Sequence, residues 1–375
     1  MFIKRAWAEI DISALVHNFN IIKEKIAPAR VVAIVKADAY GHDTNIVVPA
    51  LVSQGADYFA VADVNEALDV RKCSSSSSVL ILGYTPCNAV NILSQNNFIQ
   101  TVYDYQYAKQ LNQAAKEQNV KIKCHIKLDT GMGRLGFDCR NDELAGLNEL
   151  KQLKQLDCLE IIGIYTHFAV ADSNQEKEYN FTANQYNRFV KVCDLLENDG
   201  FSFEHKHCCN SAGILLHSDK YSDLGRSGVI IYGLLPDEDI ENKDGLIPVM
   251  EFKTVITMVK TLRRGESVSY GNTFIADKDL KVATLAVGYA DGYPRALSNC
   301  GYVLINGKKC RILGRVCMDQ TVVDVTGIDC EIGDYAVLFG KELPVQEVAE
   351  LCGTVNYEII CGLKSRVTRI AVNNK

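Results

Sequence analysis

The first residue that could take part in catalysis is Lys36, which directly follows the apolar run 31–35. A lysine at the end of a buried strand loses part of its solvation, which lowers its pKa and makes the amine a nucleophile. A solvated lysine, where a strand reaches the surface, is the more common interpretation of such a position. Lys36 alone therefore leaves both interpretations open.

Two later segments contain groups that suit a phosphate. Asn210 and Ser211 follow one apolar run, and Arg226 stands shortly before Gly228 and Val229. The serine hydroxyl can donate a hydrogen bond, the glycine lets main-chain N–H groups approach an anion, and the arginine adds a fixed cation. A nucleophilic lysine facing a phosphate cradle suggests pyridoxal 5′-phosphate held as a Schiff base.

These groups need a scaffold that brings the ends of distant strands together. Helical stretches begin after Asp11 and Asp63, which predict N-caps, and they alternate with apolar runs at 31–35, 58–62, 79–82, 98–102, 122–128, 161–168, 205–210 and 228–232. Eight such runs favour an α/β fold with a parallel (β/α)8, TIM-like barrel over a doubly wound sheet, which would use fewer strands. In this barrel the active site lies at the carboxyl ends of the strands, and phosphates favour the loops after strands seven and eight.

The pattern changes after residue 240. An acidic segment with a proline follows Tyr232 and predicts a connection between domains. Beyond it, short strands with Gly-Asn and Asn-Gly turns predict a mainly-β domain, interrupted by one helix at 345–351. We therefore predict a barrel over residues 12–240 and a mainly-β domain over 241–375, which also takes a strand from residues 1–11.

Composition and charge exclude several classes of protein. The 375 residues contain 40 basic and 46 acidic side chains, so the net charge of −6 argues against nucleic-acid binding. No apolar stretch is long enough for a membrane span, and charge comes too early for a signal peptide, so we expect a cytoplasmic protein. The 14 cysteines include no C-x-x-C pair and are expected to be reduced.

A metal site near residues 205–209 is the other interpretation of the cysteine and histidine pattern. His205, His207, Cys208 and Cys209 are so close along one extended segment that they alternate between its two faces. They cannot all converge on one ion, and we predict no metal.

Segment 35–42, which reads Val-Lys-Ala-Asp-Ala-Tyr-Gly-His, resembles the cofactor-lysine signature of the alanine racemases. The resemblance continues in order over nearly the whole chain, at 125–136, 165–169, 210–212, 226–228, 268–274, 287–293, 314–320 and 356–358. The chain departs from the family pattern at Asp43, Ser227 and Thr368, none of which is a reacting group.

The resemblance implies a two-base racemase that binds pyridoxal 5′-phosphate. Lys36 holds the cofactor and is the base on one face of the substrate, and Tyr270 in the second domain is the base on the other. A free tyrosine has a pKa of about 10, so this role needs cationic help, which His167 and Arg226 could relay. Taken without the family, His167 is a strand-end histidine and Tyr270 is a packed aromatic.

The remaining site residues are also implied by the resemblance. Arg226 faces the pyridine nitrogen and leaves it unprotonated, because an arginine only donates. Arg134 binds the cofactor and the substrate carboxylate, to which Met318 adds its backbone N–H. Lys127 matches a position that is carbamylated in many relatives, although an ion pair near Asp129 is the alternative. The other cofactor-binding residues are Tyr40, His167, Asn210, Ser211, Gly228, Val229 and Tyr357, and the entrance and support residues include Tyr289, Cys317 and Asp319.

The implied activity is the interconversion of L-alanine and D-alanine, which supplies D-alanine for peptidoglycan. The resemblance also implies a head-to-tail homodimer with shared active sites. A serine racemase of the same family is one alternative; Tyr357 and a crowded pocket favour the smaller methyl side chain. A non-catalytic, pyridoxal-phosphate-binding homeostasis protein is the alternative from another class, but such proteins end after the barrel.

Overall fold

The structure is a computed structural model that describes residues 4–140, 146–173, 175–217, 220, 222–237 and 239–373. The ends of the predicted terminal segments, residues 1–3 and 374–375, lie outside this range. Among the described helices, none is both long and apolar enough to cross a membrane.

Eight parallel strands form a barrel, as the alternation of strands and helices predicted. We number these barrel strands one to eight in chain order: Arg30–Ile34, Tyr58–Val61, Ser78–Ile81, Ile99–Val102, Ile122–Asp129, Leu159–Tyr165, His205–His207 and Leu224–Ser227. Strand one lies between strand two and strand eight, with Ala33 opposite Phe59 and Val32 opposite Arg226. Strands seven and eight are joined by hydrogen bonds from Asp223 N–H to Lys206 O (2.9 Å) and from Arg226 N–H to Cys209 O (3.0 Å), which close the ring.

Helices pack around the barrel because its strands are apolar on both faces. They are Ile12–Ile26, Thr44–Ser53, Val64–Cys73, Val90–Gln95, Tyr105–Glu117, Leu147–Gln152, Glu176–Asn198 and Ser211–Leu216. The predicted caps are confirmed: Asp11 accepts from Ala14 N–H, and Asp63 accepts from the N–H groups of Asn65 and Glu66.

The eighth strand differs from the prediction. We expected it at 228–232, but the strand is Leu224–Ser227, and Val229–Tyr232 form a 3-10 turn that is buried. The apolar run therefore marks burial rather than extended backbone. The polar and glycine-containing segment before it pairs with strand one, and this pairing places Arg226 in the buried end of the barrel.

A second sheet contains both the first and the last strand that the structure describes. Its strands are Ala6–Asp11, Met250–Leu262, Leu280–Leu285, Tyr302–Ile305, Lys308–Arg311, Thr321–Asp324, Tyr335–Phe339 and Thr368–Val372. Ala6–Asp11 pairs antiparallel with Met250–Leu262 and parallel with Thr368–Val372. Helices Val345–Cys352 and Asn356–Cys361 accompany this mainly-β part, while the domain boundary at residue 240 stays a prediction.

Candidate active site

A cavity of about 640 Å³ opens at the carboxyl ends of the barrel strands. Its walls include the predicted barrel residues Lys36, Tyr40, Lys127, Arg134, His167, Asn210, Ser211, Arg226, Gly228 and Val229, together with Tyr357 from the second domain. These residues come from segments that are far apart in sequence, and the barrel brings all of them together except Tyr357, which comes from helix Asn356–Cys361. The site therefore lies at the end of the barrel that the strand pattern predicted.

Lys36 lies at the end of barrel strand one, at the start of a left-handed turn. Residues 37–40 have φ between 52° and 54°, although none is glycine. A left-handed conformation costs about 1–2 kcal/mol per residue for L-amino acids, so the surrounding structure must hold this turn. The Lys36 amine is half-buried, and burial together with the positive charge of Arg134 lowers its pKa. Both effects favour the neutral amine that a nucleophile needs.

Tyr40, Ser211 and Gly228 form a small cradle. A side-chain carbon at position 228 would lie 2.8 Å from the Tyr40 hydroxyl and 3.4 Å from Ser211 Oγ, so only glycine leaves this space open. Ser211 Oγ accepts from the Gly228 N–H at 3.0 Å, which leaves its own proton free to donate. The cradle thus presents hydroxyl donors around a space that glycine keeps open, as a phosphate requires.

The Arg226 guanidinium is fixed as a hydrogen-bond donor. Its Nη1 donates to His207 Nδ1 at 2.9 Å, and its Nη2 donates to Thr166 O at 2.7 Å and to Cys208 O at 3.0 Å. The side chain also lies over the Tyr165 ring. Among the described residues, no acceptor is assigned to Nε, so this N–H is available to a group in the cavity.

Behind Arg226, a chain of buried side chains continues into the barrel. Because arginine cannot accept, His207 Nδ1 must be the acceptor, and its protonated Nε2 donates to His125 Nδ1 at 3.0 Å. His125 Nε2 lies 3.3 Å from the Tyr58 hydroxyl. Burial lowers the pKa of His125 to about 3 and that of His207 well below its ordinary value, so both rings are neutral.

His167 lies in the cavity as a neutral ring, and its role in relaying cationic help to Tyr270 stays a prediction. Burial and the positive charges of Arg226, Lys127, Arg134 and Lys36 hold its pKa well below the ordinary value. Its Nδ1 faces Arg226 Nη2 at 3.3 Å, and a neutral ring can accept there. The positive charge beside His167 thus belongs to Arg226 rather than to the imidazole ring.

Lys127 is buried without an acidic partner in the part of the chain that the structure describes, and its Nζ makes no hydrogen bond there. The alternative of an ion pair near Asp129 is therefore wrong: that carboxylate accepts from the N–H groups of Gly131 and Gly133. Burial, followed by the charges of Arg226 and Arg134, lowers the pKa of Lys127 to about 8.

Apart from Tyr357, the predicted residues of the second domain do not line the cavity of their own chain. Tyr270 lies in the loop between the short paired strands Ser267–Val268 and Phe274–Ile275, and its side chain is 72% exposed. Met318 and Tyr289 are also exposed, at 53% and 41%, and Asp319 forms an ion pair with Arg366. Cys317 Sγ lies 3.1 Å from Ser269 Oγ, next to Tyr270.

Comparisons with known proteins agree with this geometry. Residues 10–236 match the model of the alanine racemase N-terminal domain, and residues 249–371 match that of the C-terminal domain. The chain belongs to the alanine racemase family. It is 40% identical over 370 residues to an alanine racemase of Desulforamulus reducens, covering 98% of each chain.

Solved alanine racemase structures have the same fold. The Clostridium difficile enzyme is 34% identical, with a TM-score of 0.91 over 100% of this chain and 97% of that one. The Bacillus anthracis enzyme with bound L-Ala-P is 33% identical, with a TM-score of 0.93 over 100% and 96%. Both have the barrel and the second domain, so a homeostasis protein that ends after the barrel is excluded.

The cofactor of the alanine racemase family is pyridoxal 5′-phosphate, and the residues present fit it. The open cradle at Gly228 suits a phosphate, the half-buried Lys36 suits an aldehyde, and Arg226 offers a donor in the same cavity. Sequence reasoning missed Tyr165, Asp172 and Cys361 in the cavity wall. Tyr165 lies inside a segment that we quoted for the resemblance, whereas the other two gave no chemical pattern.

Proposed function

We propose that this chain interconverts L-alanine and D-alanine, with the cavity residues named above as its active site. The observation that supports this most is the placement of three groups in one cavity: the Lys36 amine, the cradle of Tyr40, Ser211 and Gly228, and the donor-only Arg226. Asn210, Val229 and Tyr357 complete the cofactor-binding set that we propose.

Racemisation needs a proton to leave one face of the α-carbon and return to the other. The cofactor, when bound, withdraws electrons from the substrate α-carbon and makes its hydrogen acidic. In our proposal Lys36 Nζ takes or returns the proton on one face, and Tyr270 Oη does so on the opposite face. A single base would have to move through the plane of the substrate, which explains why two are needed.

The substrate carboxylate needs a cation and a further donor. We assign the cation to Arg134, which lines the cavity, and the donor to the backbone N–H of Met318. Lys127 is the support residue that we propose to be carbamylated, because a buried amine with a pKa near 8 is partly neutral and can attack CO2. Tyr289, Cys317 and Asp319 are assigned to the entrance.

A homodimer would supply the second base. Tyr270 is mostly exposed and lies outside the cavity of its own chain, which supports a head-to-tail dimer in which it reaches the partner's Lys36. We also propose that the enzyme works in the cytoplasm and supplies D-alanine for peptidoglycan. None of the 14 cysteines, all of which lie in the part of the chain that the structure describes, forms a disulfide, and this supports a reducing compartment.

The test combines turnover with mapping of the cofactor lysine. Purified holoenzyme should racemise L-alanine, with a kcat/KM above that for L-serine. Borohydride, which fixes pyridoxal phosphate to the amine that holds it, should label Lys36, and Lys36→Ala should abolish both label and turnover. A label on Lys127 or another lysine would contradict the site, and a preference for L-serine would contradict the substrate.

A further inference from the structure

The left-handed turn beside Lys36 needs support from outside itself. Its four residues, 37–40, each have positive φ, and such a backbone persists only where neighbouring groups hold it. Within the turn and its flanks, Ala39 N–H donates to Val35 O, and Asp38 Oδ1 accepts from Thr44 N–H. These contacts hold the middle and the far end of the turn, but not the first peptide after Lys36.

That first peptide is held by Glu66. Glu66 Oε1 accepts from Ala37 N–H at 2.7 Å, and its Oε2 accepts from Ala62 N–H at 2.7 Å. Ala62 directly follows barrel strand two, so one carboxylate joins the ends of barrel strands one and two. Both bonds are short because the acceptor is charged, and such bonds are about twice as strong as neutral ones.

This arrangement differs from ordinary helix capping. Glu66 is the third residue of helix Val64–Cys73, where a glutamate usually bonds the N–H of the N-cap residue. The N-cap here is Asp63, but the Glu66 carboxylate bonds the residue before it, Ala62, and reaches across to strand one. Its two oxygens therefore serve the active-site end of the barrel.

The Glu66 charge also acts on Lys36. Burial and Arg134 lower the pKa of the Lys36 amine, whereas Cys361 and Glu66 raise it. The Glu66 carboxylate thus holds the backbone next to Lys36 and also limits how far the pKa of the Lys36 amine is lowered.

We propose that Glu66 is a positioning residue for Lys36: it ties the left-handed turn to the end of barrel strand two and so fixes where the lysine side chain starts. The proposal rests on the proposed function, because it assumes that Lys36 holds the cofactor and moves the proton. Among the described residues, neither a hydrogen bond nor an ion pair joins Glu66 to Arg134 or Met318, which bind the substrate carboxylate in that scheme. Loss of Glu66 should therefore lower kcat and cofactor attachment more than it raises KM.

The experiment uses Glu66→Gln, which keeps the size of the side chain but replaces one accepting oxygen with an amide group that only donates. The control is Asp104→Ala, which removes a cap bond to Tyr107 N–H from helix Tyr105–Glu117 outside the cavity wall. Three quantities are measured on each full chain: amide exchange at Ala37 and Ala62, the pyridoxal phosphate concentration that half-saturates borohydride labelling of Lys36, and kcat and KM.

For Glu66→Gln we expect faster amide hydrogen exchange at Ala37 or Ala62. We also expect a rise of about ten- to a hundredfold in the pyridoxal phosphate concentration that half-saturates labelling of Lys36. This range corresponds to the loss of one hydrogen bond to a charged group. Asp104→Ala should leave labelling and kcat unchanged. If Glu66→Gln folds poorly, Glu66→Asp provides the same test, because it keeps the charge but is too short to reach both N–H groups.

The outcomes separate this inference from the proposed function. If wild-type protein is not labelled on Lys36, the proposed function fails whatever Glu66 does. If wild type is labelled but the Glu66 variants keep wild-type exchange, labelling and kcat, the positioning role is wrong. A rise in KM with unchanged kcat and labelling would also contradict it.

Discussion

Arg226 is the residue whose replacement tests the electronic character of the site most directly. A glutamate at this position would accept rather than donate, and would favour a protonated ring nitrogen on the cofactor. For Arg226→Glu we expect a new long-wavelength absorption band with L-alanine and a kcat lower by about a hundredfold, as when a catalytic hydrogen-bond donor is lost. Arg226→Lys, which still donates, is the control. Unchanged turnover without a new band would contradict this role.

Lys127 provides a second residue-level prediction, because its amine is buried with a pKa of about 8. A lowered pKa means that the neutral fraction grows as the pH rises toward and past 8, and only the neutral amine can form a bond to CO2, releasing one proton. With ¹³C-bicarbonate above pH 8, we expect a carbamate signal in the ¹³C NMR spectrum that Lys127→Gln abolishes.

The matched control for this experiment is Lys123→Gln on the same barrel strand, where the side chain is only partly buried. That variant should keep the carbamate signal. A signal that survives in Lys127→Gln would show that another amine reacts.

At the scale of whole elements, the position of the barrel strands was largely predictable because parallel strands are buried on both faces and appear as apolar runs. The eighth strand was misplaced because Arg226, which points into the cavity, interrupts its apolar character. The left-handed turn at 37–40 could not be predicted either. Its sequence has alanine where glycine is expected, and its conformation depends on distant partners such as Glu66.

Barrel strand six packs against the His125 ring of strand five at Gly163, and this contact allows a test by substitution. A side-chain carbon at Gly163 would lie 2.5–2.6 Å from the His125 ring, so Gly163→Ala must displace that ring. The displacement would break the bond to His207, whose other nitrogen holds Arg226. We expect a loss of about 1–3 kcal/mol in the free energy of unfolding, the cost of an unsatisfied buried donor, together with a lower kcat.

A double-mutant cycle controls for the added methyl group itself. In a His125→Ala background there is no ring to displace, so adding Gly163→Ala should cost little further stability or activity. If Gly163→Ala lowers the free energy of unfolding and kcat equally in both backgrounds, its effect does not pass through His125.

At the scale of the whole molecule, the single chain brings together the proposed cofactor-binding residues and one of the two proposed bases, Lys36. The barrel residues meet in one cavity, whereas Tyr270 remains exposed on the second domain. Strand patterns determine contacts within a chain but not between chains, so only the family resemblance suggested a shared site. Covering the cavity with a partner's second domain would also exclude water from the proton transfer.

Subunit mixing tests this assembly. Lys36→Ala and Tyr270→Ala homodimers should each be nearly inactive. In a mixed dimer with two-fold symmetry, one site carries both defects and the other combines an intact Lys36 with an intact Tyr270. Re-equilibrating the two inactive proteins together should therefore restore activity, up to about half of the sites in each mixed dimer.

The reverse experiment places both substitutions on one chain and mixes it with wild type. Each site of the mixed dimer then carries one defect, so total activity should fall as mixed dimers form, even though the wild-type subunits are intact. Native mass spectrometry measures the fraction of mixed dimers in both experiments, so that activity is compared with a known population. If mixed dimers form and the two single variants do not complement each other, Tyr270 acts within its own chain and the shared site is wrong.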